Sequence, residues 1–335
     1  MLDPVNAIAN IFPEKRVVIV GDAVADQFLH GSISRVSREA PVFILRHEET
    51  ETRPGGAANA AANVASLGGR PLLVGVTGAD ENGELLRASL SNHGVSCEHI
   101  IEDFGRTTTT KIRVLAGQNY SVKQQVIRID YESSGEMTDE IESKLIDNLR
   151  LTAKQADAIV ISDYGYGVVS PGLFDEAREL AAKKDIPIVV DSRFRLSELR
   201  GASSATPNQE EVEQLLGKGF TDEDCARLCN DLGFKSLVIT CGNKGMIVIE
   251  TGREVFRIPA VGSTEAVDVT GAGDTVIAAY SLGLASGLTP REAASIANHA
   301  GGIVVMKKGT STAGKSELLE SIEKTGALVR SDFAA

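Results

Sequence analysis

The sequence predicts an α/β protein built on a mostly parallel sheet with helices on both faces. Short β-branched runs recur along the chain, and helical stretches separate them. A first apolar strand is expected over residues 16–20. An alanine-rich helix over 57–67 stops at Gly68-Gly69, since glycine at a helix end relieves the left-handed turn there. A strand over 72–76 and a helix over 84–92, ending near Gly94, come next. Further β-branched runs at 158–162, 186–190 and 237–240 are spaced by helical stretches over 172–183 and 221–232. Two segments break this rhythm. Residues 32–53 are strand-like with polar interruptions, and 107–130 read as two strands around Ala116-Gly117-Gln118-Asn119. With no helix to cover them, they form either a small separate sheet or a pair of edge hairpins.

Length and composition fit a globular enzyme. A chain of 335 residues can hold one large α/β core or two modest domains. Its 42% hydrophobic and 24% charged residues are ordinary. The formal charge of −12 argues against nucleic acid as a partner but leaves small anions open, since these need only a local basic pocket. No apolar run is long enough to span a bilayer, and no basic segment followed by an apolar one opens the chain. A cytoplasmic protein is expected. Cys225 and Cys229 share a helix face and read as buried thiols, and Cys97 and Cys241 as core.

The most informative stretch is Asp268-Val269-Thr270-Gly271-Ala272-Gly273-Asp274, followed at once by an apolar run over 275–280. It reads as a glycine-rich turn opening a helix. Small residues let backbone amides approach an anion, and the helix dipole favours negative charge there. A carboxylate at Asp274 would repel such an anion unless it takes a proton from an attacking hydroxyl. The plainer alternative is an acidic residue in the first turn, placed for the dipole.

Other residues fall into two groups. Asp26, after the first strand, and Asn59, after Gly55-Gly56, could bind hydroxyls; capping or solvent exposure are the alternatives. Asn63 lies on the same helix face as Asn59 and could join it. Lys111 and Arg113 alternate with apolar residues on one strand face, Arg128 is two residues from Asp130, and Arg193 and Arg195 follow a strand. Together they could hold a phosphate, or simply keep a hairpin charged and soluble. Neither a G-x-x-x-x-G-K-S/T loop nor G-x-G-x-x-G after the first strand occurs, which argues against P-loop and dinucleotide enzymes.

The 268–274 motif resembles the second signature of the ribokinase, or PfkB-type, carbohydrate kinase family. Pro54-Gly55-Gly56-Ala57-Ala58-Asn59 resembles the first, Asn208-Gln209-Glu210-Glu211 the N-x-x-E motif, and Gly21-Asp22-Ala23-Val24-Ala25-Asp26 the opening strand. The resemblance spans Gly21 to Thr310 and implies a single ribokinase-like domain over 1–335. Segments 32–53 and 107–130 would form a lid and a homodimer contact. It implies Asp274 as the base, with Gly271, Ala272 and Gly273 as anion hole. Asp26, Gly55, Gly56 and Asn59 would bind the sugar. ATP would meet Thr240, Gly242, Thr270 and Asn208, with Asn298 and Gly309 bordering the adenine. Glu211 would place Mg²⁺ through water, although Asn208 with Glu211 three residues on is also a capping box. A monovalent cation is a further option.

Ser37-Arg38-Glu39-Ala40-Pro41-Val42, Thr109-Thr110-Lys111-Ile112-Arg113-Val114, Ile161-Ser162-Asp163-Tyr164-Gly165 and Lys308-Gly309-Thr310-Ser311-Thr312 resemble one branch of the family. That branch phosphorylates the anomeric hydroxyl of D-glycero-D-manno-heptose 7-phosphate for ADP-heptose and lipopolysaccharide core synthesis. Lys111, Arg113, Arg128 and Arg193 would then grip the existing phosphate. The branch usually has lysine after Asp-Tyr-Gly, where this chain has Tyr166, and Asp-Pro-Lys where it has Asp191-Ser192-Arg193. Many members carry a following nucleotidyltransferase domain; with no His-x-Gly-His among its five histidines, this chain resembles the kinase part. Ribose, fructose phosphate and nucleosides remain alternative acceptors, and a non-catalytic sugar-phosphate or nucleotide sensor is the reading from another class.

Overall fold

Val17, Val18, Ile19 and Val20 are all buried, which is what a central parallel strand covered on both faces requires. They form β1 (Arg16–Gly21), reached through α1 (Pro4–Asn6) and further helical turns over 7–14, in a computed structural model that describes residues 3–117, 123–133, 137–263 and 265–325. After β1 come two long strands, β2 (Ala23–Val36) and β3 (Phe43–Gly56), then α2 (Ala57–Ser66), β4 (Arg70–Gly78), α3 (Glu81–Asn92) and β5 (Ile100–Asp103). Two more strands, β6 (Thr110–Gly117) and β7 (Gln124–Tyr131), precede α4 (Asp139–Ala153), β8 (Ala158–Asp163), α5 (Pro171–Lys184) and β9 (Ile188–Ser192). The chain continues through β10 (Ser204–Ala205), α6 (Gln209–Leu216), α7 (Asp222–Asp231), β11 (Ser236–Thr240), β12 (Met246–Glu250) and β13 (Phe256–Ile258). Three helices close it: α8 (Ala272–Ala285), α9 (Pro290–Val304) and α10 (Lys315–Thr325).

The main sheet has the order β13-β12-β11-β10-β9-β8-β1-β4-β5. It is parallel from β11 to β5, with β12 and β13 antiparallel at one edge. Alternation along each strand splits the core in two. Val17, Ile19, Val160 and Val189 pack with α2, α8 and α9, while Val18, Val20, Ile159 and Ile161 pack with α4, α5 and α7. The parallel sheet with helices on both faces is thus as expected. Cys225 and Cys229 are buried, but Cys97 and Cys241 are only half-buried, a correction to their reading as core.

The second sheet, β3-β2-β6-β7, is larger at its first segment than the polar interruptions suggested. β2 starts at Ala23, immediately beyond β1, and pairs antiparallel with β3 all the way to Gly56. Ala23, Val24, Ala25 and Phe28 are buried, so this part of β2 reads like more of the central strand. Asp26 therefore lies within a strand of the small sheet rather than in a loop. β6 pairs parallel with β2 and antiparallel with β7. Of the turn expected around Ala116-Gly117-Gln118-Asn119, Gly117 ends β6, while residues 118 and 119 lie outside the described residues.

Candidate active site

α8 begins where the sequence places the glycine-rich turn. Gly271 has φ +77°, and a Cβ there would come within 2.5 Å of Asn59 Nδ2, so only glycine fits. The amide of Ala272 donates to Val269 O and that of Thr275 to Gly271 O. Between them the amides of Gly273 and Asp274 have no backbone acceptor among the described residues, as the first turn of a helix dictates. Thr270 shapes the turn from within: its amide donates to Asp268 Oδ1 at 2.9 Å.

Asp274, in that first turn, is 2% exposed. Tyr164 Oη donates to its Oδ1 at 2.7 Å, and Asn59 Nδ2 donates to its Oδ2 at 2.8 Å. Burial drives its pKa from the usual carboxyl range up to about 7, and the Asp26 charge adds to that; the two hydrogen bonds and Lys111 act the other way. A carboxyl poised there can be ionised at neutral pH and still take a proton. Asn59 is held in turn by Asn63, whose Nδ2 donates to Asn59 Oδ1 at 3.1 Å. Asn63 itself is fully buried, its Oδ1 accepting from Thr275 Oγ1 and the Ala313 amide, so it is a tether and not a ligand group.

Three cavities, lined by the Asp274 neighbours Gly273 and Tyr164, lie along the carboxyl ends of the strands, where α/β sheets bind ligands. The first is an apolar recess of about 200 Å³, lined by Gly242, Met246, Val261, Val276, Asn298 and Val305. Asn298 Nδ2 donates to Pro259 O at 2.8 Å. Thr240 and Gly273 line both this recess and a polar cleft of about 220 Å³ that adds Asp163, Asp191, Asn208 and Glu211. Tyr164 and Arg193 are shared in turn by the cleft and an open pocket of about 660 Å³. The three lie side by side, each sharing lining residues with the next.

Asn208 and Glu211 do make the reciprocal capping box of α6, at 2.8 and 2.9 Å, while still lining the cleft. The cleft is crowded with negative charge. Burial raises the Asp191 carboxyl well above its usual value, and the charges of Glu211, Asp274 and Asp163 raise it further; burial also raises Glu211. A divalent cation would relieve that repulsion. Among the described residues no three His, Cys, Asp or Glu side chains converge on one point. Magnesium, which keeps its waters and rides on phosphates, needs no such cluster. The residues present therefore fit the ion, and Glu211 and Asn208 would hold it through water.

The outer pocket gathers Lys111, Arg128 and Arg193 with Tyr166 and Phe194, and the carboxylates of Asp130 and Glu132 line it too. Lys111 Nζ lies 5.2 Å from the Tyr166 ring centre, and Arg193 5.6 Å from that of Phe194. Burial lowers the Lys111 pKa, and the neighbouring Arg193 and Arg128 charges act with it against those of Asp130 and Asp26. Arg128 is forked onto Asp130 at 2.8 and 2.9 Å. Tyr166 thus supplies a face for a cation instead of a cation.

Arg113 departs from the expected cluster. Its Nη1 donates to Asp26 Oδ1 at 2.6 Å, and its guanidinium lies over Phe28. Asp26 Oδ2 accepts from Thr310 Oγ1 at 2.8 Å. Gly309 is likewise away from the apolar recess: a Cβ there would meet the Phe28 ring at 2.8 Å, so the 308–310 turn packs on the small sheet and lines no part of that recess. Arg53 fastens that turn by donating to Lys308 O and Thr310 O. Gly55 and Gly56 are required by close packing, since a Cβ at either would come within 2.7 Å of Asp26 Oδ2 or 2.6 Å of Asp22 O. Arg195 lines none of the three cavities; it pairs with buried Asp163 at 2.8 Å.

Sequence reasoning missed two residues. Tyr164 touches Asp274 directly. Asp22, 2% exposed, accepts the backbone amides of Tyr164, Tyr166 and Val168 and so shapes the loop that carries them. A signal existed: two glycines at positive φ, Gly165 and Gly167, flank Tyr166 after a strand end.

A buried carboxyl of raised pKa beside bare helix amides, with basic and apolar cavities on either side, has the layout of a phosphotransferase site. The chain belongs to the pfkB family of carbohydrate kinases, which it matches over residues 14–317. It is 38% identical over 311 residues to the bifunctional protein HldE of Geobacter sulfurreducens, covering 91% of this chain and 62% of that one. With HldE of Aeromonas salmonicida the identity is 37% over 333 residues, covering 96% and 67%. The chain thus spans 62–67% of the length of these two relatives. In fold it is similar to Arabidopsis thaliana ribokinase complexed with ribose and ATP, at TM-score 0.71 and 22% identity over 92% of this chain and 98% of that one. Phosphofructokinase-2 from Escherichia coli in complex with potassium gives TM-score 0.75 and 19% identity over 93% and 99%.

Proposed function

We propose that this kinase transfers the γ-phosphoryl group of ATP to the anomeric hydroxyl of D-glycero-D-manno-heptose 7-phosphate. The observation that carries the acceptor is the grouping of Lys111, Arg128 and Arg193 round one pocket, joined through Tyr164 and Arg193 to the cleft beside Asp274. Three cations set against the carboxylates of Asp130 and Glu132 leave that end net positive, which suits a sugar that already bears a phosphate. The apolar recess around Val261, Val276 and Asn298 suits a purine, and the cleft between Thr240 and Gly273 suits its phosphates. The similarity to HldE supports the heptose acceptor.

Asp274 accepts the proton of the attacking hydroxyl, and the amides of Gly273 and Asp274 face the charge that develops on the transferring group. Mg²⁺, bound with ATP near Glu211 and Asn208, would neutralise phosphate charge. Asn59 and Asp26 border the sugar, with Arg113 and Thr310 holding the two oxygens of Asp26 in place. The small sheet serves as a lid that excludes water, and β7, exposed along its length with Val126, Ile127, Ile129 and Tyr131, serves as a homodimer contact. The site of action is the cytoplasm.

A coupled assay for ADP release tests the reading with heptose 7-phosphate, ribose, fructose 6-phosphate and a nucleoside as acceptors. Preferred turnover of heptose 7-phosphate is expected, with the phosphate gained at the anomeric carbon. Preference for another acceptor removes the heptose assignment, and binding without ADP release from any acceptor favours a sensor.

A further inference from the structure

We propose that Tyr164 is the positioning residue of the base: its hydroxyl donates to Asp274 Oδ1 before transfer and accepts from Oδ1 afterwards. The inference rests on the kinase reading for its chemistry, but its geometry stands independently.

The two oxygens of Asp274 have different partners, and the difference can be traced to a backbone amide. The Ala313 N–H can only donate, and it donates to Asn63 Oδ1 at 3.1 Å. That fixes the orientation of the Asn63 amide, whose Nδ2 then donates to Asn59 Oδ1 at 3.1 Å. Asn59 is fixed in its turn and presents Nδ2 to Asp274 Oδ2 at 2.8 Å. Oδ2 therefore faces a group that cannot accept. A proton placed on Oδ2 would set two donors against each other. Oδ1 faces a hydroxyl, 2.7 Å away, which can rotate from donor to acceptor.

The proton taken from the sugar hydroxyl accordingly comes to rest on Oδ1. As it moves, the sugar oxygen forms its bond to the γ-phosphorus. The bond from that phosphorus to the bridging oxygen breaks, and its electron pair leaves with ADP. Tyr164 keeps contact with Oδ1 in both states, so the carboxyl does not turn away between them.

Tyr164 is itself held by its backbone. Its amide donates to buried Asp22 Oδ2 at 2.8 Å, and its ring lies close to Gly56, where a Cβ would sit 3.4 Å from Cδ2. Burial and the charges of Asp274, Asp191 and Asp26 raise its phenol pKa well above the usual value, so it remains protonated and able to donate. The other groups that face Asp274 are Asn59 from α2, Asp26 from β2, Lys111 from β6 and Asp191 from β9.

Tyr164→Phe keeps the ring and removes the hydroxyl. Two measurements on the whole chain test it. Carbon-13 NMR of aspartate-labelled protein, without substrates and assigned with Asp274→Asn, follows the Asp274 carboxyl through its titration. The wild-type midpoint is expected near 7, and in Tyr164→Phe about one pH unit higher, because a donor to the ionised form is lost. The acidic limb of kcat/KM is expected to move by the same amount. Above that limb kcat is expected to stay about tenfold low, since the carboxyl has lost its tether. An Asp274 midpoint and a kcat/KM limb that stay in place in Tyr164→Phe overturn the proposal. The NMR reading needs no turnover, so a wild type that releases no ADP would sink the kinase reading without deciding this one.

Discussion

Arg113 and Asp26 form a buried ion pair, Nη1 to Oδ1 at 2.6 Å, with the two side chains 12% and 7% exposed. Thr310 occupies the other carboxylate oxygen. The pair joins two strands of the small sheet and ties both to the 308–310 turn. Removing one partner strands a charge in low dielectric, so Arg113→Met should cost about 3–5 kcal/mol in urea unfolding. Asp26→Asn combined with Arg113→Met should recover most of that. A double variant as unstable as the sum of its singles would mean the two do not act as a pair.

Asp274→Asn should lower kcat by about 10²- to 10⁴-fold. It should also stabilise the fold at alkaline pH. The folded pKa of about 7 lies above the ordinary carboxyl value of 3.8, so the stability this group contributes is complete below the ordinary value. It is lost as pH rises through 7, where the buried carboxyl must ionise. Asparagine escapes that loss. Denaturant midpoints should therefore separate progressively between pH 4 and 7 and then run parallel, the variant ahead by a few kcal/mol, on the order of 1.4 kcal/mol for each tenfold gain in proton affinity on folding. Curves that stay together across this range would contradict a buried, raised carboxyl.

Substitutions in the cationic pocket should act on the phosphorylated acceptor. Lys111→Met and Arg128→Gln should each raise its KM by about 10- to 100-fold, the worth of a charge-assisted hydrogen bond, and leave KM for ATP unchanged. Arg193→Met should affect both substrates, because Arg193 lines the cleft as well as the pocket. Steady-state kinetics with each substrate varied in turn separates these outcomes; equal effects on both substrates from Lys111→Met would place the phosphate elsewhere.

Gly271→Ala combines two strains. The residue has φ +77°, and the new methyl would sit 2.5 Å from Asn59 Nδ2. A destabilisation of about 1–3 kcal/mol is expected, with kcat down more than about 100-fold as Asn59 is pushed off Asp274. Near-normal kcat in this variant would show that Asn59 does not need to hold the base.

Much of the architecture was legible in the residues. The β-branched runs at 16–20 and 158–162 became β1 and β8, and the glycine turn at 271–273 opened α8. The start of the small sheet was not, because Ala23 to Phe28 carry the same buried, apolar character as a central strand. Nor could alternation separate Lys111 from Arg113. Both lie on one face of β6, yet one meets Tyr166 and the other Asp26. Gly309 illustrates a further limit: its motif was plain, but the surface it packs against, Phe28, comes from the other end of the chain.

What the sequence determined by itself was local: strand alternation, the Asn208–Glu211 cap, and the small residues where α8 begins. Each of these depends on neighbours a few positions away, and backbone sterics or a nearby side chain decide it. The tertiary structure alone decided which donor meets which oxygen of Asp274, since Asn59 and Tyr164 arrive from 215 and 110 residues away. Burial among those partners, which no local pattern encodes, is what raises the carboxyl to the pKa a base needs.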